Sequence, residues 1–216
     1  MTERGHTSPP DRSIVDEKQR LRREVADRVR QAPAEQRRQW DAAIQQRLTA
    51  HPAYRAARVL HCYLALPDEA ATEPIVRAAL AGGKQVAVPA VGPADHQLLC
   101  ARIDDYDRDL APGYRGILEP PPGARRLIDP GQITFYIVPG VAYDPRGFRL
   151  GRGLGYYDRC LAGVKGRATI CALAYELQVI DALPAEPHDV RVDLIVTEAR
   201  VIEAKGKRYA RTSHRR

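Results

Sequence analysis

The sequence predicts a three-layer α/β fold: a twisted, mostly parallel sheet with helices on both faces, Rossmann-like in architecture and built as a single domain. Three observations carry this expectation. Short apolar runs alternate with helix-periodic segments along the chain. Those runs are apolar at consecutive positions, as strands covered on both faces are. The length of 216 residues suffices for one domain with a substantial core.

Taken in order, residues 1–12 lack an apolar core and read as a disordered leader, not a secretory signal. Ser13 stands in cap position with Asp16 three residues on, so a first helix is expected from Ser13 to about Gln31, ahead of Pro33. A second, 34–50, carries Trp40, Ile44 and Leu48 at four-residue spacing. RVLHCYLAL (58–66) reads as a strand. TEPIVRAALAGG (72–83) reads as a helix capped by Thr72 and ended by Gly82 or Gly83. QVAVPAV (85–91), QLLCARI (97–103) and ITFYIVPGVA (133–142) are further strands. Residues 104–131, rich in proline and glycine, read as irregular loop. A helix opens at GYYDRCLAG (155–163), and RATICALAY (167–175) and RVDLIVTE (191–198) complete the sheet.

Composition narrows the function classes. A chain 44% hydrophobic and 28% charged is ordinary for a globular protein. No run of about 18 apolar residues occurs, so no membrane span is expected. Cys62, Cys100, Cys160 and Cys171 are scattered without a CxxC pair, which argues against a zinc site or disulfide framework and for reduced thiols in a cytoplasm. The net charge of +7 is largely a property of residues 204–216, which hold six Lys or Arg and no acid and leave +1 for the rest. We read them as a solvated basic tail on a domain spanning 13–203. Nucleic acid is not expected as a partner, since no zinc-finger, RNP or helix-turn-helix pattern is present.

The chemistry concentrates in YDPRGFRLGRGLGYYDR (143–159), with four glycines and four arginines between a strand and a helix. In α/β sheets ligands bind beyond the carboxyl ends of strands. Gly151, Gly153 and Gly155 remove side chains at alternate positions, so backbone N–H groups can approach an anion. The following helix start adds unpaired N–H donors and the positive end of its dipole. Arg149 and Arg152 supply full charges and can grip phosphate with two bonds. The segment matches neither GxxxxGK[ST] nor the full dinucleotide spacing, and the alternative to anion binding is a tight turn with solvated arginines.

Two further features bear on an anion. At roughly 100° per residue, Ile14, Leu21, Val25 and Val29 form one stripe of the first helix; Lys18 falls inside it and Arg22 at its edge. A lysine there must meet an anion or reach water. It either snorkels or, with Arg22, aims two cations at a phosphate. Glu69, in LPDEAATEPI (66–75), follows a strand and is either solvated or placed to hold a polar ligand. Asp144, Asp158 and Asp189 lie near strand ends or the glycine segment, and two carboxylates can hold a Mg²⁺ that keeps several waters and bridges to phosphate.

VPGVAYDPRGFRLGRGLGYYDR (138–159) resembles the signature of the 5-formyltetrahydrofolate cyclo-ligase (methenyltetrahydrofolate synthetase) family. The family's Lys-x-x-x-Arg is matched by Lys18 and Arg22, and its Glu-x-x-Thr by Glu69 and Thr72. Its Tyr-Gly-Ile-x-Glu-Pro is approximated by YRGILEP (114–120), and its ending resembles LPAEPHDVRVDLIVTE (183–198). The likeness covers about residues 14–202. Leu154 stands where a third glycine is common, Tyr143 where phenylalanine is common, and the acid often found before the VPG strand is missing from GQITFYIVPG.

The resemblance implies ATP- and Mg²⁺-dependent cyclisation of 5-formyltetrahydrofolate to 5,10-methenyltetrahydrofolate, releasing ADP and phosphate. The formyl oxygen is phosphorylated, N10 attacks the carbon, and phosphate leaves. Such chemistry asks for positioning and charge stabilisation more than for a covalent nucleophile. By position, Lys18 and Arg22 would bind ATP phosphates. Arg149, Leu150, Gly151, Arg152, Gly153, Leu154, Gly155, Tyr156 and Tyr157 would form the ATP loop. Asp158 and Asp189 would hold Mg²⁺, Glu69 would orient the folate, and Tyr156 would pack against it. Glu69, Arg152 and Asp158 form the expected catalytic set, in a protein expected to act as a monomer. Two other readings stay open: an ATP-dependent paralogue acting on another amide, supported by Leu154, and a non-catalytic polyanion-binding protein, supported only by the tail.

Overall fold

The computed structural model describes residues 12–92, 97–113, 116–186 and 189–204. Residues 1–11 of the expected leader, the tail from Lys205 and the Tyr114–Arg115 part of YRGILEP lie outside them. Arg12, assigned above to the leader, is already helical.

In chain order the elements are α1 (Arg12–Gln31), α2 (Ala34–Ala50), α3 (Pro52–Ala56), β1 (Val59–Cys62), α4 (Glu73–Ala81), β2 (Gln85–Val91) and β3 (Leu98–Ile103). There follow β4 (Ala111–Pro112), β5 (Leu118–Glu119), β6 (Arg126–Leu127), β7 (Phe135–Val138), β8 (Ala142–Tyr143) and β9 (Arg149–Leu150). The chain closes with α5 (Tyr156–Ala162), β10 (Thr169–Leu173), β11 (Leu194–Val196) and β12 (Val201–Glu203). Eight strands form the central sheet in the order β12-β11-β10-β7-β1-β2-β3-β6. The five from β11 to β2 are mutually parallel. β3 and β12 run against their neighbours β2 and β11.

The alternation of side chains along a strand explains the continuous apolar runs. Leu60, Cys62, Phe135, Ile137, Cys171 and Leu173 face a layer containing Ile44 and Leu48 of α2 and Ile75 and Val76 of α4. Tyr136, Val138, Ile170, Ala172 and Ile195 face the opposite layer, with Leu161 of α5 and Val164. A third cluster sets Leu21 and Val25 of α1 on Ala142, Leu150 and Leu183. The two-stranded β8–β9 ladder that α1 covers leads directly into the glycine segment.

Several expectations change. Ser13 lies inside α1 and does not cap it, because the helix already includes Arg12. Thr72 holds the N-cap position of α4 without a capping bond. Its Oγ1 accepts from the Ala65 amide at 3.1 Å instead, tying together the loop that carries Glu69. The long strand expected over 133–142 stops at Val138, because Pro139 has no N–H for the ladder. Gly140 then turns the chain where no side chain fits: a Cβ there would lie 2.7 Å from Tyr143 Oη and 2.9 Å from Arg149 Cγ. The strand expected over 85–91 is found with those bounds as β2, while β1, β3, β10 and β11 are shorter than expected at their ends. Residues 104–131 are not wholly irregular, since they contain β4, β5 and β6. α3 and β12 were not anticipated. Among the described residues no helix is long and apolar enough to cross a membrane.

His61 is fully buried on β1, stacked on Tyr136 at 5.3 Å and edge-on to Tyr157 at 5.8 Å between ring centroids. Burial lowers its pKa from 6.5 to about 4. The unfolded chain therefore binds a proton at pH values where the folded one does not, and stability falls as pH drops from 6.5 toward 4. This group accounts for about 3 kcal/mol across that window. Urea unfolding at pH 7 and pH 4 should show that part of the acid loss disappear in His61→Phe.

Candidate active site

The glycine turn joins β9 to α5. Gly153 has φ +97° and Gly155, the N-cap of α5, has φ +66°, a region L side chains rarely adopt. α1 reaches this turn: Arg22 Nε donates to the Gly151 carbonyl at 2.8 Å. Its guanidinium borders Gly153, where a Cβ would lie 3.7 Å from Arg22 Cζ. Burial lowers the Arg22 pKa, which leaves an arginine charged.

Lys18, one turn earlier, meets anions supplied by the protein itself. Its ammonium donates to Glu186 Oε2 at 2.8 Å and Asp189 Oδ2 at 3.1 Å, with its side chain only 12% exposed. Burial pulls its pKa down, but the two carboxylates outweigh burial and leave it raised. Snorkelling is thus not how this lysine is accommodated.

The two arginines of the turn point in different directions. Arg149 turns inward, its side chain 3% exposed. It donates to Asp158 Oδ1 at 2.8 Å and to the Pro139 carbonyl at 3.1 Å, and its Cζ lies 5.8 Å from the Tyr157 ring centroid. Arg152 turns outward, 44% exposed, and its Nη2 donates to Asp68 Oδ1 at 2.6 Å. Its Nε and Nη2 each reach Glu69 Oε1 at 3.2 Å.

Glu69 is nearly buried, and its Oε2 accepts from the Leu66 amide at 3.0 Å. Burial raises its pKa, and the Leu66 amide and Arg152 offset this only in part. Asp68, Glu69, Arg152, Gly140 and Gln178 line a cavity of about 10 Å³, space for a single water.

The remaining expected residues are placed as follows. Leu150 is buried beneath α1, and Leu154 is 62% exposed. Tyr156 opens α5, with the Arg159 guanidinium 5.5 Å from its ring centroid. The Tyr157 hydroxyl is buried without a hydrogen-bond partner. Asp144 is fully buried and occupied by Arg146 and the amides of Arg146, Phe148 and Leu183, so it anchors the bend after β8.

The structure therefore brings Arg22 to the glycine turn, Lys18 to Glu186 and Asp189, and Arg152 to Glu69. No contact joins Asp158 to Asp189: one is bonded to Arg149, the other to Lys18. Among the described residues no group of three or more His, Cys, Asp or Glu gathers as a metal site would. Three polar residues here were not anticipated. Asp68 and Glu186 lie inside segments singled out in the sequence but were not distinguished from their neighbours. Gln178 is buried and donates to the Gly140 and Val141 carbonyls at 3.3 and 3.1 Å, and no pattern marks it.

Fold and site together define an α/β enzyme with a glycine-rich turn that meets Arg22 of the first helix and, through Arg152, a nearly buried carboxylate. The chain belongs to the 5-formyltetrahydrofolate cyclo-ligase family, whose sequence profile matches residues 14–198. It is 29% identical to the Mus musculus 5-formyltetrahydrofolate cyclo-ligase over 189 residues, covering 84% of this chain and 93% of that one. It is 30% identical to the mitochondrial Arabidopsis thaliana 5-formyltetrahydrofolate cyclo-ligase, covering 88% and 77%. Among solved structures, the Aquifex aeolicus 5,10-methenyltetrahydrofolate synthetase superposes with a TM-score of 0.78 at 30% identity, covering 91% of this chain and 97% of that one. The Mycoplasma pneumoniae synthetase, at 22% identity and a TM-score of 0.68, shares the fold over 84% and 98%.

Removing Asp158 would leave Arg149 buried and unpaired. Asp158→Ala should lower stability by an amount near the bottom of the roughly 3–5 kcal/mol that breaking a buried pair costs, since Asp158 keeps some solvent contact. Arg149→Met with Asp158→Asn should recover most of that loss in urea unfolding.

Proposed function

We propose that this enzyme uses ATP to close 5-formyltetrahydrofolate into 5,10-methenyltetrahydrofolate, releasing ADP and phosphate. One observation supports this most: α1 packs on the glycine turn through Arg22, while Arg152 of the same turn reaches Glu69 on the other side. A turn with bare amides and a cation would hold the triphosphate, and the carboxylate beside it would hold the folate.

The chain's residues divide the work. Amides of 151–155 and the start of α5 receive phosphate oxygens. Arg22 supplies charge from α1. Lys18 has three N–H donors, two of them given to Glu186 and Asp189, which leaves one for phosphate. Arg149, beneath the turn, adds charge close to phosphate and with Asp158 fixes the start of α5. Tyr156 offers a ring at the mouth of the turn, against which the folate packs. Glu69, fixed by the Leu66 amide, accepts hydrogen bonds from the folate and orients N10 toward the activated carbon. Arg152 follows the charge that develops on the transferring phosphoryl group.

Asp158 and Asp189 are oxygen donors of the kind Mg²⁺ takes, but each is held by its own cation, Arg149 and Lys18, so they would take the ion only by giving up those bonds. In that arrangement the ion would neutralise phosphate charge.

Mixing the protein with 5-formyltetrahydrofolate, Mg²⁺ and ATP should produce methenyl absorbance, and omitting ATP should abolish it. Glu69→Gln should slow turnover about 10²-fold, the scale set by misplacing a reacting group, while its affinity for an ATP analogue does not fall. Full activity in that variant would remove Glu69 from the mechanism.

A further inference from the structure

The Arg152 contacts carry an inference that rests on the reading of Glu69 as the folate carboxylate. Arg152 is the outward-turned arginine of the glycine turn, and its N–H groups already have acceptors within the protein. Its guanidinium is shared between Glu69 Oε1, at 3.2 Å from two of its nitrogens, and Asp68 Oδ1, at 2.6 Å from one. The shorter bond is to Asp68, a residue with no role in the reaction outlined above. The cavity that Arg152, Asp68 and Glu69 help to line has room for about one water as the guanidinium stands.

We propose that Asp68 is a positioning residue that parks Arg152 over Glu69, closing the folate site until a nucleotide phosphate draws the arginine away. Arg152 cannot serve both carboxylates and a triphosphate with the same N–H groups. A guanidinium 44% exposed on a glycine-flanked turn is free to swing, whereas Glu69 is fixed by the Leu66 amide. Withdrawal of Arg152 leaves a buried carboxylate unpaired, and a carboxylate in that state demands a new donor. The N–H groups of a reduced pterin are such donors. Nucleotide binding therefore creates the demand that the folate meets, and the two substrates favour each other. The coupling is reciprocal, as any equilibrium coupling between two sites must be. A site closed in nine molecules of ten binds its ligand about tenfold more weakly than an open one.

The test is calorimetric. 5-Formyltetrahydrofolate is titrated into the full chain with and without a non-hydrolysable ATP analogue and Mg²⁺, for wild type and Asp68→Asn. Wild type should bind the folate about tenfold tighter with the analogue, within the usual range of such couplings. Asp68→Asn should bind it more tightly than wild type when nucleotide is absent, and the effect of the analogue should shrink to about twofold or less. In turnover, the KM for the folate should fall with rising ATP in wild type and lose that dependence in the variant. A merely structural Asp68 would shift stability without touching either dependence. Equal folate affinity with and without the analogue in wild type would overturn the proposal, and that measurement requires no variant. Undiminished coupling in Asp68→Asn would overturn it as well. Methenyl formation by the same preparation separates the two readings: product without coupling sinks the clamp alone, and no folate binding under either condition sinks both.

Discussion

The hydrogen bond from Arg22 Nε to the Gly151 carbonyl, 2.8 Å long, joins the first helix to a turn 129 residues away, and the candidate site is assembled around it. It holds because α1 is locked from two further directions. Leu21 and Val25 sit on Ala142, Leu150 and Leu183, which fixes the roll of the helix. Lys18 is clamped by Glu186 and Asp189, which brings in the chain beyond Leu183. One helix face thus holds the β8–β9 ladder, the glycine turn and the 183–189 segment together. A buried cation is costly unless its donors are met, and each of these two is met by a specific acceptor. The charges are consequently held in place before any ligand arrives, which reduces the ordering that binding must supply.

The turn itself solves a second problem. Arg149 and Arg152 are three residues apart, yet one side chain is 3% exposed and the other 44%. The inward arginine is satisfied by Asp158 and the Pro139 carbonyl and pins the start of α5 to the end of β7. The outward arginine spans to the loop after β1. Gly151 leaves room for the inward one, since a Cβ there would lie 3.0 Å from Arg149 Nη1. The same amino acid therefore acts as an internal strut and as a movable charge, according to which side of the backbone it leaves.

Much of this was legible in the sequence, for identifiable reasons. Parallel strands bury both faces, so β1, β2, β7, β10 and β11 announce themselves as unbroken apolar runs. A lysine on an apolar stripe must find an acceptor, so Lys18 and Arg22 could be flagged from helical periodicity alone. Which acceptor Lys18 finds could not be read, because Glu186 and Asp189 lie about 170 residues away and only the fold brings them near. The two-residue strands β4, β5 and β6 are too short for any period to show. The end of β7 was overrun because Pro139 interrupts a run whose hydrophobicity continues past it. Family likeness supplied roles for Asp158 and Asp189, but spacing could not reveal that each has its own cation, nor that Arg152 leans on Asp68 as well as Glu69.

The central claim is that a nucleotide's phosphates are held between α1 and the glycine turn, and Arg22 is where the two meet. The most direct measurement is the affinity of the Mg²⁺ complex of an ATP analogue for wild type and Arg22→Gln, read by calorimetry at matched salt. Loss of a charge-assisted bond to phosphate, worth about 1.5–3 kcal/mol, predicts an affinity at least tenfold lower in the variant. Unchanged affinity in a folded Arg22→Gln protein would contradict the account.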